Sequence, residues 1–161
     1  MRKVISLIVL STIVFLLPNC SLLNREVKIK ADANSNKLNS NGKSSFEQLT
    51  DKYFKLVEIN GMPVDSDNAK EPHLILSSED YRISGTGGCN SFSGSFLVNE
   101  SNKIQFMHIS TTRMACPNME TDAALYSVLE VADNYILDGD TLIINRAKTA
   151  PQAKFIAVSK L

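Results

Sequence analysis

From Lys52 to Val158 the sequence is interrupted every several residues by Gly, Asn, Asp or Pro, and the runs between are short and rich in β-branched and aromatic residues. A chain punctuated in this way makes short strands and tight turns, so the fold class is mainly β. The runs place strands at about residues 53–59, 73–76, 81–85, 94–98, 103–108, 134–137, 141–145 and 154–158. Asp138-Gly139, flanked by Tyr135-Ile136-Leu137 and Thr141-Leu142-Ile143, is the clearest hairpin, because this dipeptide suits a tight primed turn. Asn60-Gly61, followed by Met62-Pro63, marks another turn.

One segment has a different period. Leu125, Val128, Leu129 and Ala132 recur at i, i+3, i+4 and i+7, which predicts one amphipathic helix over about residues 118–132. Pro117 suits its first turn, and Glu120 and Asp122 lie near the positive end of its dipole. The remaining polar face carries Glu120, Asp122, Glu130 and Asp133 with no Lys or Arg. That is the wrong sign for an anionic lipid surface, so the apolar stripe is expected to pack on a sheet.

The amino end reads as an export signal. Arg2 and Lys3 precede an apolar run of 14 residues from Val4 to Leu17, short for a bilayer span, and Pro18 breaks it just before Asn19 and Cys20. Leu17-Pro18-Asn19-Cys20 resembles a bacterial lipobox, with Leu17 and Cys20 in place and Pro18 and Asn19 as departures. The expectation is cleavage before Cys20 and lipid on that cysteine. Ser21 follows it, where inner-membrane retention often uses Asp, which points to the outer membrane. The alternatives are an ordinary secretory signal or an uncleaved anchor.

From Ser21 to about Gln48 the chain is poor in large apolar residues and rich in Asn, Ser and Lys, a composition that cannot offset its chain entropy by burial. The expected organisation is a signal over 1–19, a lipidated cysteine and stalk over 20–50, and one domain over 51–161. Without residues 1–19 the chain has 15 basic side chains against 17 acidic ones. This balance supplies no electrostatic basis for nucleic-acid binding.

The most distinctive stretch runs Gly85-Thr86-Gly87-Gly88-Cys89-Asn90-Ser91-Phe92-Ser93-Gly94, with Thr111-Thr112-Arg113-Met114-Ala115-Cys116-Pro117 further on. A phosphate-binding P-loop needs Lys and then Ser or Thr at its end, where Asn90-Ser91 stands instead. A dinucleotide loop needs a βαβ unit, which does not follow. Taken together, Gly87, Gly88, Cys89, Asn90, Phe92 and Gly94, then Thr112, Arg113, Met114, Ala115 and Cys116, then Glu120, resemble the hallmarks of the META domain, also called HslJ-like. One departure is the first strand, where such domains often carry Trp and this chain offers Tyr53 or Phe54.

The resemblance implies a small, strongly bent antiparallel sheet or partly open barrel with one packed helix. It also implies an envelope lipoprotein linked to heat shock, drug tolerance, secretion or motility, with no cofactor and no established enzymatic activity. A likeness of fold does not by itself transfer function.

With Cys20 assigned to lipid, Cys89 and Cys116 remain as an even pair in an exported chain, first read as a disulfide. Buried thiols, a redox pair and a metal site stay open. Zinc would need His73 and His108 as well, and neither CxxC nor HxxxH spacing occurs, so no metal is expected. No nucleophile elbow is present, neither histidine has a recognisable partner motif, and Glu79-Asp80 reads as a solvated turn, so the chain is expected not to be an enzyme. Arg113 suits a carboxylate, a phosphate or a structural ion pair.

The first functional expectation is a non-enzymatic envelope lipoprotein that binds an envelope protein or peptide, with the membrane reached through lipid and the domain monomeric. The alternatives are a pilot or assembly factor for outer-membrane secretion and a surface adhesin for host proteins.

Overall fold

Alternation of apolar and polar residues decides which face of each strand turns inward. The computed structural model describes residues 44–65, 67–99, 101–147 and 152–159, so the signal segment, Cys20 and the expected stalk up to residue 43 lie outside the described residues. In chain order the elements are α1 (Ser45–Leu49), β1 (Tyr53–Ile59), β2 (Met62–Pro63), β3 (His73–Leu76), β4 (Arg82–Thr86), β5 (Ser91–Val98), β6 (Ile104–Thr111), α2 (Glu120–Val131), β7 (Asn134–Asp138), β8 (Thr141–Asn145) and β9 (Ala153–Val158). In β1, Phe54 and Leu56 are buried while Lys55 and Val57 are not; β3 buries Leu74 and Leu76; β5 buries Phe92, Gly94 and Phe96.

The strands form one antiparallel sheet in the order β6-β5-β4-β3-β1-β9-β8-β7, with β2 paired to β1. The sheet curls until its outermost strands approach. The Tyr135 N–H donates to the Asn102 carbonyl at 2.9 Å, and the Ile104 N–H to that of Asp133 at 3.3 Å. Bulges help it bend, one where β1 meets β9 between Leu56 and Glu58, the other where β5 meets β6 between Ser93 and Ser95. The result is the partly open barrel expected, and Leu125, Val128 and Leu129 of α2 share its core with Phe54, Phe96, Leu74, Leu142 and Phe155. Each such fully buried side chain contributes about 1.5–3 kcal/mol relative to exposure.

The structure differs from the sequence reading in several places. The 135–143 hairpin forms, but Asp138 pairs with Thr141, so Gly139 and Asp140 are the turn residues. Only Gly139 has positive φ, the pattern of a type II′ turn. The helix begins at Glu120 rather than residue 118, and Pro117 lies outside it. Cys116 is bonded to Cys89, and Pro117 to Met119 connect it to the start of the helix. Asp122, expected on the solvated face, is 2% exposed.

Strand β5 begins at Ser91 rather than 94, which reduces the glycine-rich loop to Gly87, Gly88, Cys89 and Asn90. Of the stretch expected to be stalk, Ser45–Leu49 is instead helical, with Leu49 fully buried. A capping box starts that helix: the Glu47 N–H donates to Ser44 Oγ at 3.2 Å, and the Ser44 N–H to the Glu47 carboxylate at 2.8 Å.

Candidate functional site

The Gly87–Asn90 turn joins β4 to β5 and sits on the first turns of α2. Thr86 Oγ1 donates to the Asn90 carbonyl at 2.8 Å and accepts from the Gly88 N–H at 3.2 Å, so one hydroxyl braces both sides of the turn. The carboxylate of Asp122 rises from the helix beneath and accepts from the Cys89 N–H at 3.0 Å and the Asn90 N–H at 3.2 Å. The Tyr126 hydroxyl, one helical turn along, lies 3.1 Å from that carboxylate and 3.0 Å from the Asn90 carbonyl, one donor between two acceptors. Burial, reinforced by the Asp122 charge, pushes the Tyr126 phenol well above its ordinary value, so it stays a donor.

This approach of turn to helix explains two of the glycines. A Cβ at Gly87 would stand 2.6 Å from the Asp122 Cα, closer than packed atoms come, and Gly88 has φ of 125°, which side chains rarely adopt. Gly94 is buried in β5 beside Met107 and Ile109 of β6. Phe92 faces the core and meets the Tyr126 ring edge-on, with centroids 5.8 Å apart.

The turn in turn holds the segment after β6. Asn90 is 3% exposed, and its side chain takes hold of Met114, accepting from the Met114 N–H at 2.7 Å and donating to the Met114 carbonyl at 3.3 Å. The Thr112 hydroxyl donates to Asn90 Oδ1 at 3.0 Å and accepts from the Ser91 N–H at 3.1 Å. Cys89 and Cys116 are joined by a disulfide with Cα atoms 6.1 Å apart. Closing a separation of 27 residues contributes roughly 3–4 kcal/mol on the chain-entropy account. Despite these anchors, Thr112, Arg113, Met114 and Ala115 are all exposed, Met114 by 52%.

Of the motif residues named from the sequence, Gly87, Gly88, Cys89, Asn90, Thr112, Met114 and Cys116 meet at the turn and Phe92 lies against Tyr126, whereas Gly94 packs on β6, Arg113 is exposed and Glu120 stands apart. Glu120 stands exposed at the start of α2, its N–H taking the Asn118 side chain at 3.1 Å, and does not reach the turn. The helical carboxylate that does is Asp122. Asp122, Tyr126 and Thr86 were not singled out from the sequence, although Asp122, Leu125, Tyr126 and Leu129 follow one another at i, i+3, i+4 and i+7, which places the carboxylate on the buried stripe.

An open cleft of about 610 Å³ lies beside the turn, lined by Tyr53, Lys70, His73, Ser84 and Ser91 among others. Tyr53, Glu71 and His73 in its lining hold one another or a neighbour. The Tyr53 hydroxyl donates to Glu71 at 3.0 Å, Lys55 pairs with the same carboxylate at 2.6 Å, and His73 stacks on Tyr53 with centroids 4.3 Å apart. Burial first, and Glu71 second, push the Tyr53 phenol up to about 12. His73 and His108 fall in β3 and β6, and among the described residues no three His, Cys, Asp or Glu side chains cluster as metal ligands. No described helix is long and apolar enough to cross a membrane.

The arrangement is therefore a buried polar clamp that fixes an exposed loop. A protein solved by NMR has the same fold, with a TM-score of 0.57 and 28% identity over 71% of this chain and 95% of that one. A second NMR structure, of a protein from Burkholderia xenovorans, aligns with a TM-score of 0.56 and 20% identity, over 71% of this chain and 86% of that one. No curated protein matches the sequence. The META domain model matches residues 47–158, which include the whole clamp, and the chain belongs to the META domain family.

Proposed function

We propose that this chain is a lipid-anchored envelope protein whose META domain acts by binding rather than by turnover. The observation that carries the reading is the bond between Cys89 and Cys116. Such bonds persist in oxidising compartments outside the cytosol, and the basic and apolar segment ending at Cys20 is suited to carry the chain there. A binding role is supported by where the polar groups of the motif point. Asn90, Asp122, Thr86 and Tyr126 are committed to the domain's own backbone and to one another, and the surface they shape is an exposed loop.

Mass spectrometry of the mature amino terminus tests the anchor. A diacylated or triacylated Cys20 is expected, and an unacylated product cut elsewhere would overturn it. Thiol labelling of protein taken directly from cells and denatured without reductant tests the compartment. Neither Cys89 nor Cys116 should react, whereas stoichiometric labelling of both places the domain in a reducing space.

A further inference from the structure

Residues 112–119 have no regular secondary structure, yet they are fixed at several points. Asn90 holds both backbone groups of Met114, the Thr112 N–H donates to the Ser91 carbonyl at 3.0 Å, and the disulfide fastens Cys116. The side chains of this fixed backbone point outward: Arg113 and Met114 are exposed, and Met119 at the far end is 42% exposed. The order is thus imposed on a surface, and fixing the backbone of a contact surface before binding lowers the ordering cost of association. The residue types agree, because Met and Arg are both enriched in protein interfaces and Lys is depleted. Arg113 is the single charged side chain in residues 112–119, which makes the tip apolar with one cation at its flank.

We propose that Arg113 and Met114 form a preformed knob that a protein partner receives in an apolar pocket rimmed by carboxylates. The pocket takes the Met114 side chain, and a carboxylate on its rim pairs with the guanidinium, which offers two parallel donors. The proposal rests on the binding role given above but on neither the lipid nor the compartment, so its failure and theirs are separately visible.

The test uses the full chain, produced in an exporting host and held in detergent with its disulfide intact. The probe is a phage-displayed library of random peptides. Selected peptides should carry apolar residues next to Asp or Glu. They should bind Met114→Glu and Arg113→Glu about tenfold or more weakly than the parent, as expected for a central contact. Met62→Glu, altering an exposed methionine at the β1–β2 hairpin, should bind them unchanged. Reduction of the Cys89–Cys116 bond should also weaken them, since the knob loses its fixed shape.

Several results overturn the proposal. A library that yields no peptide sensitive to Met114, or one enriched in basic peptides, does so. Self-association abolished by Met114→Glu would make a second copy the occupant, and binding to phosphatidylglycerol vesicles abolished by Arg113→Glu would make it a membrane. Unfolding midpoints that fall in Met114→Glu as they do in core variants would make the residue structural.

Discussion

The side-chain amide of Asn90 binds the backbone of Met114 at both ends, accepting from its N–H at 2.7 Å and donating to its carbonyl at 3.3 Å. An amide is one of few side chains that can do both at once, because it carries an acceptor and a donor on one planar group. Asn90→Asp keeps the shape but removes the donor and sets a second carboxylate near Asp122. It should destabilise more than Asn90→Ala, which itself costs about 1–3 kcal/mol through lost partners. Urea unfolding of both variants at neutral pH checks the order; equal midpoints would mean that the added charge costs no more than the retained acceptor contributes.

Asp122 and Glu120 are two residues apart on α2 and should behave differently. Asp122 is buried and accepts from the Cys89 and Asn90 N–H groups and the Tyr126 hydroxyl, so Asp122→Ala leaves the two buried N–H groups without that partner, while the Tyr126 hydroxyl keeps the Asn90 carbonyl. The expected loss is about 3 kcal/mol or more. Glu120→Ala, at an exposed position, should change stability by no more than about 0.5 kcal/mol. Comparing the two by denaturant unfolding would also establish which acid of the helix the turn depends on.

The disulfide adds to the same clamp from outside. Cys116→Ser, or reduction of the parent, should lower stability by roughly 3–4 kcal/mol if the unfolded chain gains the freedom the 27-residue separation restricts. The domain should remain folded, because its core is contributed by the sheet and α2. Unfolding curves with and without reductant measure the first point, and retained far-UV circular dichroism the second.

Most of the sheet could be read from the sequence because the apolar alternation of β1, β3 and β5 and the Asn60-Gly61 and Asp138-Gly139 dipeptides are local signals. The curl of the sheet is not local. It depends on bulges at Leu56/Glu58 and Ser93/Ser95 and on the approach of Asn102 to Tyr135, which no short window contains. The site was half legible. Glycines, cysteines and Asn90 announce themselves by type, whereas Asp122 looks like a solvated helical acid until its place among Leu125, Tyr126 and Leu129 is counted. α1 was hidden by the Asn- and Ser-rich composition before it, although Ser44-Ser45-Phe46-Glu47 spells a capping box.

That short helix belongs to the domain's stability. Leu49 is fully buried in the common core, and Thr50 Oγ1 donates to the Phe46 carbonyl at 2.8 Å. Leu49→Ala should therefore cost about 2–5 kcal/mol, as for other core truncations. A chain that begins at Asp51 should unfold at lower denaturant than one that begins at Ser44. Equal midpoints for the two truncations would mean that residues 44–50 add nothing to the domain's stability.

Tyr53 gives stability a dependence on alkaline pH. Its phenol is pushed up from 10.0 to about 12, chiefly by burial and then by its hydrogen bond to Glu71 and the Glu71 charge. The folded state thus holds the phenol proton more tightly than the unfolded chain does. The stabilisation is complete below pH 10 and is lost as pH rises through about 12, because the unfolded state ionises first and is favoured by doing so. Tyr53→Phe has no such proton. Tyr126 and Tyr135 are also pushed up by burial, but both chains share them, so they cancel in the comparison. Across pH 10 to 12 the unfolding midpoint of the parent should fall more steeply than that of Tyr53→Phe, and parallel curves would show that the Tyr53 hydroxyl ionises as freely in the fold as in the open chain.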